Sequence, residues 1–139
     1  MAVATQKRKT TIQYPCLMVV EDDPGVGYAV TRWLQSLSVK PILATTTREA
    51  LELINDVAFI EANLDGLLVD YNLPDATGVR VIQEFVEEFP GIPVAIMTGS
   101  NDLSLEMWAQ SNKVPIFHKP LHMPDMLTWI EKLKPQAVA

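Results

Sequence analysis

Four apolar runs of this 139-residue chain end in residues that could do chemistry. Leu67-Leu68-Val69 closes on Asp70, followed by Tyr71-Asn72-Leu73-Pro74-Asp75, and the other exits are Glu21-Asp22-Asp23, Thr98-Gly99-Ser100 and Lys119-Pro120. A carboxylate at the exit of a buried strand is poorly explained by folding alone. An acid cluster, a hydroxyl and an ammonium at neighbouring exits supply what metal-assisted phosphoryl chemistry on Asp70 needs. A carboxylate can attack phosphorus and form an aspartyl phosphate. The transferred group spreads charge over three oxygens, which a cation, an ammonium and a hydroxyl or backbone N–H can each hold. Lys119 and Thr98 are of those types, and Gly99 leaves room for approach to the Thr98 backbone.

The acids also imply a cation. Neighbouring strands lie about 4.8 Å apart, so Glu21, Asp22 and Asp70 crowd together if the first and third strands are adjacent. Like charges about 4 Å apart repel by roughly 4 kcal/mol at an effective dielectric near 20. Such a site takes up protons or binds a cation. Oxygen-only ligands favour Mg²⁺. The two histidines, His118 and His122, lie far in sequence from the acids, which argues against zinc.

The elements that must position these residues follow from periodicity. Leu17-Met18-Val19-Val20, Pro41-Ile42-Leu43-Ala44, Leu67-Leu68-Val69, Val94-Ala95-Ile96-Met97 and Val114-Pro115-Ile116-Phe117 are short continuous apolar runs, the pattern of strands covered on both faces. Between them, helical stripes run through Val26, Ala29, Val30, Trp33, Leu34 and Leu37; Ala50, Leu53, Ile54 and Val57; Ile82, Phe85, Val86 and Phe89; and Met123, Leu127, Ile130 and Leu133. Asp102 to Ser111 forms a fourth, less regular helix, capped by Asn101 or Asp102. Thr46-Thr47-Arg48-Glu49 reads as a capping box with Thr46 as cap, and Asp23-Pro24 and Met123-Pro124 place proline at first helical positions. Asp23 is then a helix cap and Asp75 a turn acid. Trp33 belongs to the core, Trp108 and Trp129 to the core or a partner surface, and His118 to a structural or solvent-facing role. Five strand–helix units give a doubly wound α/β domain with a parallel sheet, which binds ligands at the carboxyl ends of its strands. The polar exits all fall there.

Length suits one domain, expected over 15–134, between tails at 1–14 and 135–139. The net charge of −6 disfavours nonspecific nucleic-acid binding. No apolar stretch approaches a membrane span, and the start of the chain lacks a secretory signal. A lone cysteine, Cys16, forms no internal disulfide and reads as a small buried hydrophobe. A cytoplasmic location is the default expectation.

Taken in order, Val19-Val20-Glu21-Asp22-Asp23-Pro24, Val69-Asp70-Tyr71-Asn72-Leu73-Pro74-Asp75 through Gly78, Ile96-Met97-Thr98-Gly99 and Lys119-Pro120-Leu121 resemble the motifs of response-regulator receiver domains over about residues 16–133. The resemblance implies a flavodoxin-like sheet of strand order 2-1-3-4-5. It implies that Asp70 accepts a phosphoryl group from a histidine kinase or phosphotransfer protein. Asp22 would be the more direct Mg²⁺ ligand, Glu21 would act through water, and Asp70 and the backbone carbonyl of Asn72 would complete the set. Thr98 and Lys119 would contact phosphoryl oxygens. The Lys119–Pro120 peptide is often cis in the family. Output would pass to a downstream protein effector through the surface of the fourth helix, fifth strand and fifth helix. No DNA or membrane contact is implied, and self-association is left open. Any enzymatic activity would be limited to self-phosphotransfer and autodephosphorylation.

Two departures stand out. Many receivers carry Tyr or Phe three residues before the lysine; here Ile116 occupies that switch position, and alternation points Phe117 to the opposite side. Signalling is therefore expected to rely on the fourth helix and its preceding loop. Gln110-Ser111-Asn112-Lys113-Val114-Pro115 lacks the usual small-residue turn, and Pro115 within the strand suits a sheet edge. The alternative reading is a pseudo-receiver that binds proteins without taking phosphate. An aspartyl-phosphate hydrolase fits less well, because the residue two past Asp70 is Asn72 and not an acid.

Overall fold

Alternation along the central strands sorts the core into two layers. The computed structural model describes residues 14–56 and 64–133. Strands β1 (Cys16–Val20), β2 (Lys40–Ala44), β3 (Gly66–Asp70), β4 (Val94–Thr98) and β5 (Ile116–His118) are all parallel, in the order β2-β1-β3-β4-β5. Helices α1 (Pro24–Ser36), α2 (Thr47–Ile54), α3 (Gly78–Glu88), α4 (Leu103–Ser111) and α5 (Leu127–Ile130) cover it. Met18, Val20, Leu67, Val69 and Ile96 pack against Ala50 and Ile54 of α2, Val81, Ile82 and Phe85 of α3, and Leu105 of α4. Leu17, Val19, Leu68, Ala95 and Met97 face the other way, onto Val30 and Leu34 of α1 and Met126, Trp129, Ile130 and Leu133. Each buried Val, Leu, Ile, Phe or Met among them contributes about 1.5–3 kcal/mol by leaving water. This is the doubly wound sheet and strand order expected from the sequence. The expected tails lie outside the described residues except for Tyr14, as does Val57.

Helix starts follow local chemistry. Asp23 Oδ1 accepts from the Gly25 and Val26 N–H groups at 2.8 and 3.1 Å, ahead of Pro24. Thr46 Oγ1 accepts from the Glu49 N–H at 3.0 Å. The return bond of the capping box is displaced by one residue, because Glu49 Oε1 accepts from the Thr45 N–H at 2.6 Å. Of the two candidate caps of α4, Asp102 is the one used, accepting from the Ser104 N–H at 2.9 Å.

The structure corrects several expectations. The last helical segment opens as a 3₁₀ turn, Met123–Met126, before α5. Three residues per turn instead of 3.6 rotate the later side chains. Met126 and Trp129 therefore enter the core, and Leu127, expected inside, is exposed. Trp129 meets Phe117 edge-on, with ring centroids 6.2 Å apart. Trp108 is half-buried against the α2–α4 layer and Trp33 against the other. On α1, Gly27 is buried and Ala29 exposed, since the bare Gly27 backbone sits against Leu43 and Glu21. On α3, Val81 replaces Val86 in the core. β5 is shorter than expected and begins after Pro115, whose carbonyl still accepts from the Ile96 N–H at 2.9 Å. Cys16 is buried at the head of β1.

Helices α1 and α4 end alike. Val39 N–H donates to Leu34 O and Ser38 N–H to Gln35 O; Val114 N–H donates to Ala109 O and Lys113 N–H to Gln110 O. This is the Schellman pattern, which places a left-handed residue just past the helix. Here those residues are not glycine: Ser38 has φ 62° and Lys113 has φ 57°. Ser38→Gly is therefore expected to stabilise the fold by up to about 1 kcal/mol, less glycine's extra unfolded-state entropy. Urea unfolding checks this, and a variant no more stable than wild type would refute it.

Candidate functional site

Parallel register carries three charged side chains to one point. Glu21 follows β1, with its N–H donating to Ala44 O; Asp70 closes β3; Lys119 follows β5, with its N–H donating to Thr98 O. Counting alternate residues back from each reaches Val19, Leu68 and Phe117, all on the α1–α5 face, so the three side chains share that face. Lys119 Nζ lies 2.7 Å from Glu21 Oε1 and 3.1 Å from Asp70 Oδ2. Backbone amides hold the remaining oxygens: the Asn72 N–H donates to Asp70 Oδ1 and the Asp23 N–H to Glu21 Oε2, each at 3.1 Å. Asp22 is exposed, yet Glu21, Asp22 and Asp70 each offer a carboxylate oxygen within 4.8 Å of the others.

Burial decides the electrostatics. Glu21 is 1 % exposed. Burial pushes its carboxyl up to about 7, and Asp70 adds to the rise, while Lys119 and the Asp23 N–H oppose it. Burial acts to lower the Lys119 ammonium, but its contacts with Glu21 and Asp70 outweigh this and hold it above its ordinary value. The buried Glu21 Oε1 has the Lys119 ammonium as its one close partner among the described residues. Three carboxyl groups against one ammonium form a hard-oxygen set that fits a divalent cation such as Mg²⁺.

The other sequence candidates are placed as follows. Thr98 ends β4, fully buried, one residue past Met97, the register partner of Asp70; its Oγ1 accepts from the Ser100 N–H at 2.9 Å. The exposed Asn72 begins the turn after β3, where it pairs with Thr77. Ile116 packs half-buried on the α2–α4 layer, and Phe117 packs on the other. The Lys119–Pro120 peptide is cis. His118 is exposed, with Nε2 3.8 Å from Glu106 Oε1 on α4. At Gly99 a Cβ would meet nothing within 4 Å, so packing within the chain does not demand glycine there.

Two supporting residues escaped the sequence reading. Asp75 is more than a turn acid: its two oxygens accept from the Thr47 and Arg48 N–H groups, both at 2.9 Å. Together with Thr46 it satisfies the free donors of the first turn of α2 and ties the loop after Asp70 to that helix. These bonds hold its carboxyl below the ordinary value. Gly78 is the second. A Cβ there would lie 2.4 Å from the Asp70 carbonyl oxygen, and its N–H donates to Tyr71 O at 2.7 Å. Both residues stand in the Asp70 motif, but local sequence shows neither role: the partners of Asp75 lie 28 and 27 residues away, and the closeness of Gly78 to Asp70 is set by how the turn between them folds back.

Comparison with known proteins identifies the family and the fold. The family model described as response regulator receiver domain matches residues 17–131. The chain is 31 % identical over 122 residues to the DNA-binding transcriptional regulator NtrC of Proteus hauseri, covering 82 % of this chain and 23 % of that protein. It is 32 % identical over 90 residues to the regulatory protein LuxO of Vibrio cholerae, covering 63 % of this chain and 19 % of that one. The chain thus spans less than a quarter of the length of these two relatives. Among solved structures, a CheY-like receiver domain protein from Methanospirillum hungatei superposes with TM-score 0.75 at 23 % identity, over 87 % of this chain and 94 % of that one. The non-phosphorylated HemR receiver domain from Leptospira biflexa gives 0.73 at 23 %, over 88 % and 98 %. At such identities these two likenesses speak for the fold.

Two predictions follow from the site's construction. Gly78→Ala sets the new methyl against the Asp70 backbone and is expected to cost about 1–3 kcal/mol, whereas Gly99→Ala should stay within about 0.5 kcal/mol; equal costs in urea unfolding would contradict the geometry. The second concerns pH without divalent cations. A native carboxyl near 7 against an ordinary value of 4.5 means that the folded state binds more protons between those values. Stability present below the lower value is then lost as pH rises to about 7. Glu21→Gln should flatten that slope, and an unchanged slope in Tm against pH would refute the assignment.

Proposed function

The chain belongs to the response regulator receiver domain family of two-component systems, and on that footing we propose that it takes a phosphoryl group on Asp70 and signals through altered protein contacts. The observation that carries this reading is the Lys119 ammonium set between the Glu21 and Asp70 carboxylates, with Asp22 completing an acid cluster at the carboxyl end of the sheet.

Each residue has a part in that reading. Asp22, Asp70, the Asn72 carbonyl and, through water, Glu21 would hold Mg²⁺. When bound, Mg²⁺ supplies positive charge against the phosphoryl oxygens. The Asn72 N–H and Lys119 orient the Asp70 carboxylate before attack. Lys119 then turns its ammonium to a phosphoryl oxygen, and Thr98 donates its hydroxyl to another. The phosphodonor is a histidine kinase or a histidine-containing phosphotransfer protein, in a cytoplasmic setting. The effector is a protein that meets α4, β5 and α5, where Leu103 and Met107 stand exposed. The curated relative named DNA-binding is matched over only 23 % of its length. With a net charge of −6, direct DNA contact by this chain is not proposed. Among the described residues, no helix is long and apolar enough to cross a membrane.

Incubation with acetyl phosphate and Mg²⁺ tests the proposal. The intact mass should rise by one phosphoryl group, and Asp70→Ala or chelation of the metal should abolish the rise. A wild-type chain that stays unmodified, with its metal site loaded, overturns phosphoacceptance in favour of a phosphate-independent binding module.

A further inference from the structure

A second concave site lies at the end of the sheet opposite Asp70. Ile92 and Pro93 lead into the amino end of β4, one strand length, about 13 Å, from the Thr98 exit. There α3 and α4 part around a cleft of about 670 Å³, a size that takes a small ligand. Ile82 and Val86 of α3, Trp108 of α4, Ile92 and Val114 form its apolar walls. Two of these are left open to water. Val86 is 45 % exposed on a helix that buries Val81, Ile82 and Phe85, and Trp108 is only half-buried.

A single charged residue, Lys113, lines the cleft. It is exposed and pairs with no carboxylate among the described residues. Its backbone, at φ 57°, is in the left-handed region, which glycine enters without strain and lysine does not. The fold makes no use of the lysine side chain here, because the bonds that close the turn are made by backbone groups. The side chain of Asn112, one residue earlier, donates to Trp108 O at 2.8 Å, which ties the Lys113 turn to the helix turn carrying the tryptophan. In a chain of net charge −6, an unpaired cation beside an open indole gives this cleft the opposite sign to the molecule as a whole.

We propose that the cleft is a binding site for a small planar aromatic carboxylate of one or two rings, with the ring system between Val86 and Trp108 and the acid group paired with Lys113. The cleft shares no residue with the acid cluster, so the inference stands independently of phosphoacceptance. Both halves of the ligand are required by the lining. A purely aliphatic molecule would cover the walls and leave Lys113 unserved, and a free phosphate would serve Lys113 and leave the walls wet. A planar ring gains further from the offset or edge-on contact that an indole offers. A second copy of the chain fits less well, since it brings its own charge of −6 to the contact.

Titration of the full chain with naphthoate and with its neutral counterpart naphthamide, followed by amide and indole NMR shifts, tests this. Naphthoate should bind saturably and move the Trp108 indole N–H and the Val86 and Lys113 amides, while the Leu103 and Leu127 amides stay in place. Naphthamide should bind about two- to fivefold more weakly, the worth of one exposed ion pair. Lys113→Gln should erase that difference and Lys113→Arg should keep it. Lys113→Gly should erase it too, yet raise the urea midpoint by relieving the backbone; a loss of stability would show that the lysine serves the fold and would overturn the reading. Val86→Glu should weaken naphthoate more than naphthamide. Equal affinity of wild type for the two probes, a difference that survives Lys113→Gln, or shifts centred on Leu103 and Leu127 overturn the site. So does a Trp108 indole shift that follows protein concentration without any probe, which would make a second copy the occupant.

Discussion

One ammonium between two carboxylates organises the open end of this sheet. Lys119 comes from the edge strand, Glu21 and Asp70 from strands nearer the centre, and the contacts of 2.7 and 3.1 Å span the width between them. Burial alone would drive Glu21 to its neutral form and Lys119 to lose its proton. Their proximity opposes both tendencies, and it leaves surplus acid that a divalent cation can neutralise. Charge balance here depends on backbone register, since a one-residue slip of any of the three strands would turn its charged residue to the opposite face.

The backbone around Asp70 is braced to keep that register useful. Gly78 lets the start of α3 press against the Asp70 carbonyl, nearer than any side chain would allow. The Asn72 N–H fixes one Asp70 oxygen, and Asp75 anchors the same loop to the first turn of α2. Asp70 is therefore held by bonds to its own loop as well as by its strand. The loop after Thr98 is built differently, from successive short-range side-chain bonds with no anchor on another helix among them. One loop is thus tied to a distant helix end and the other only to itself.

Much was legible in the sequence where a local rule governs. Continuous apolar runs gave five covered strands, and caps at Asp23, Thr46 and Asp102 set three helix starts. Polar strand exits located the acid cluster. The helix-face misreadings share one cause, which is phase. Ala29, Val86 and Leu127 were assigned inward by a uniform 3.6-residue period, but a buried glycine in α1 and a 3₁₀ turn before α5 show that the true inward face depends on what each helix meets. Asp75 was invisible as a cap because a free carboxylate in a turn looks the same whether or not a distant helix end lies above it.

The sequence by itself determined the strand–helix alternation and the chemical types at each strand exit, because short-range periodicity and side-chain chemistry are properties of neighbouring residues. Only the tertiary structure decided that Lys119 reaches Glu21 and Asp70 together, that Gly78 is required where Gly99 is not, and that the Thr98 hydroxyl already holds the loop leading to α4. Those facts depend on distances between segments far apart in the chain, which are set by how two layers of helices close on one twisted sheet.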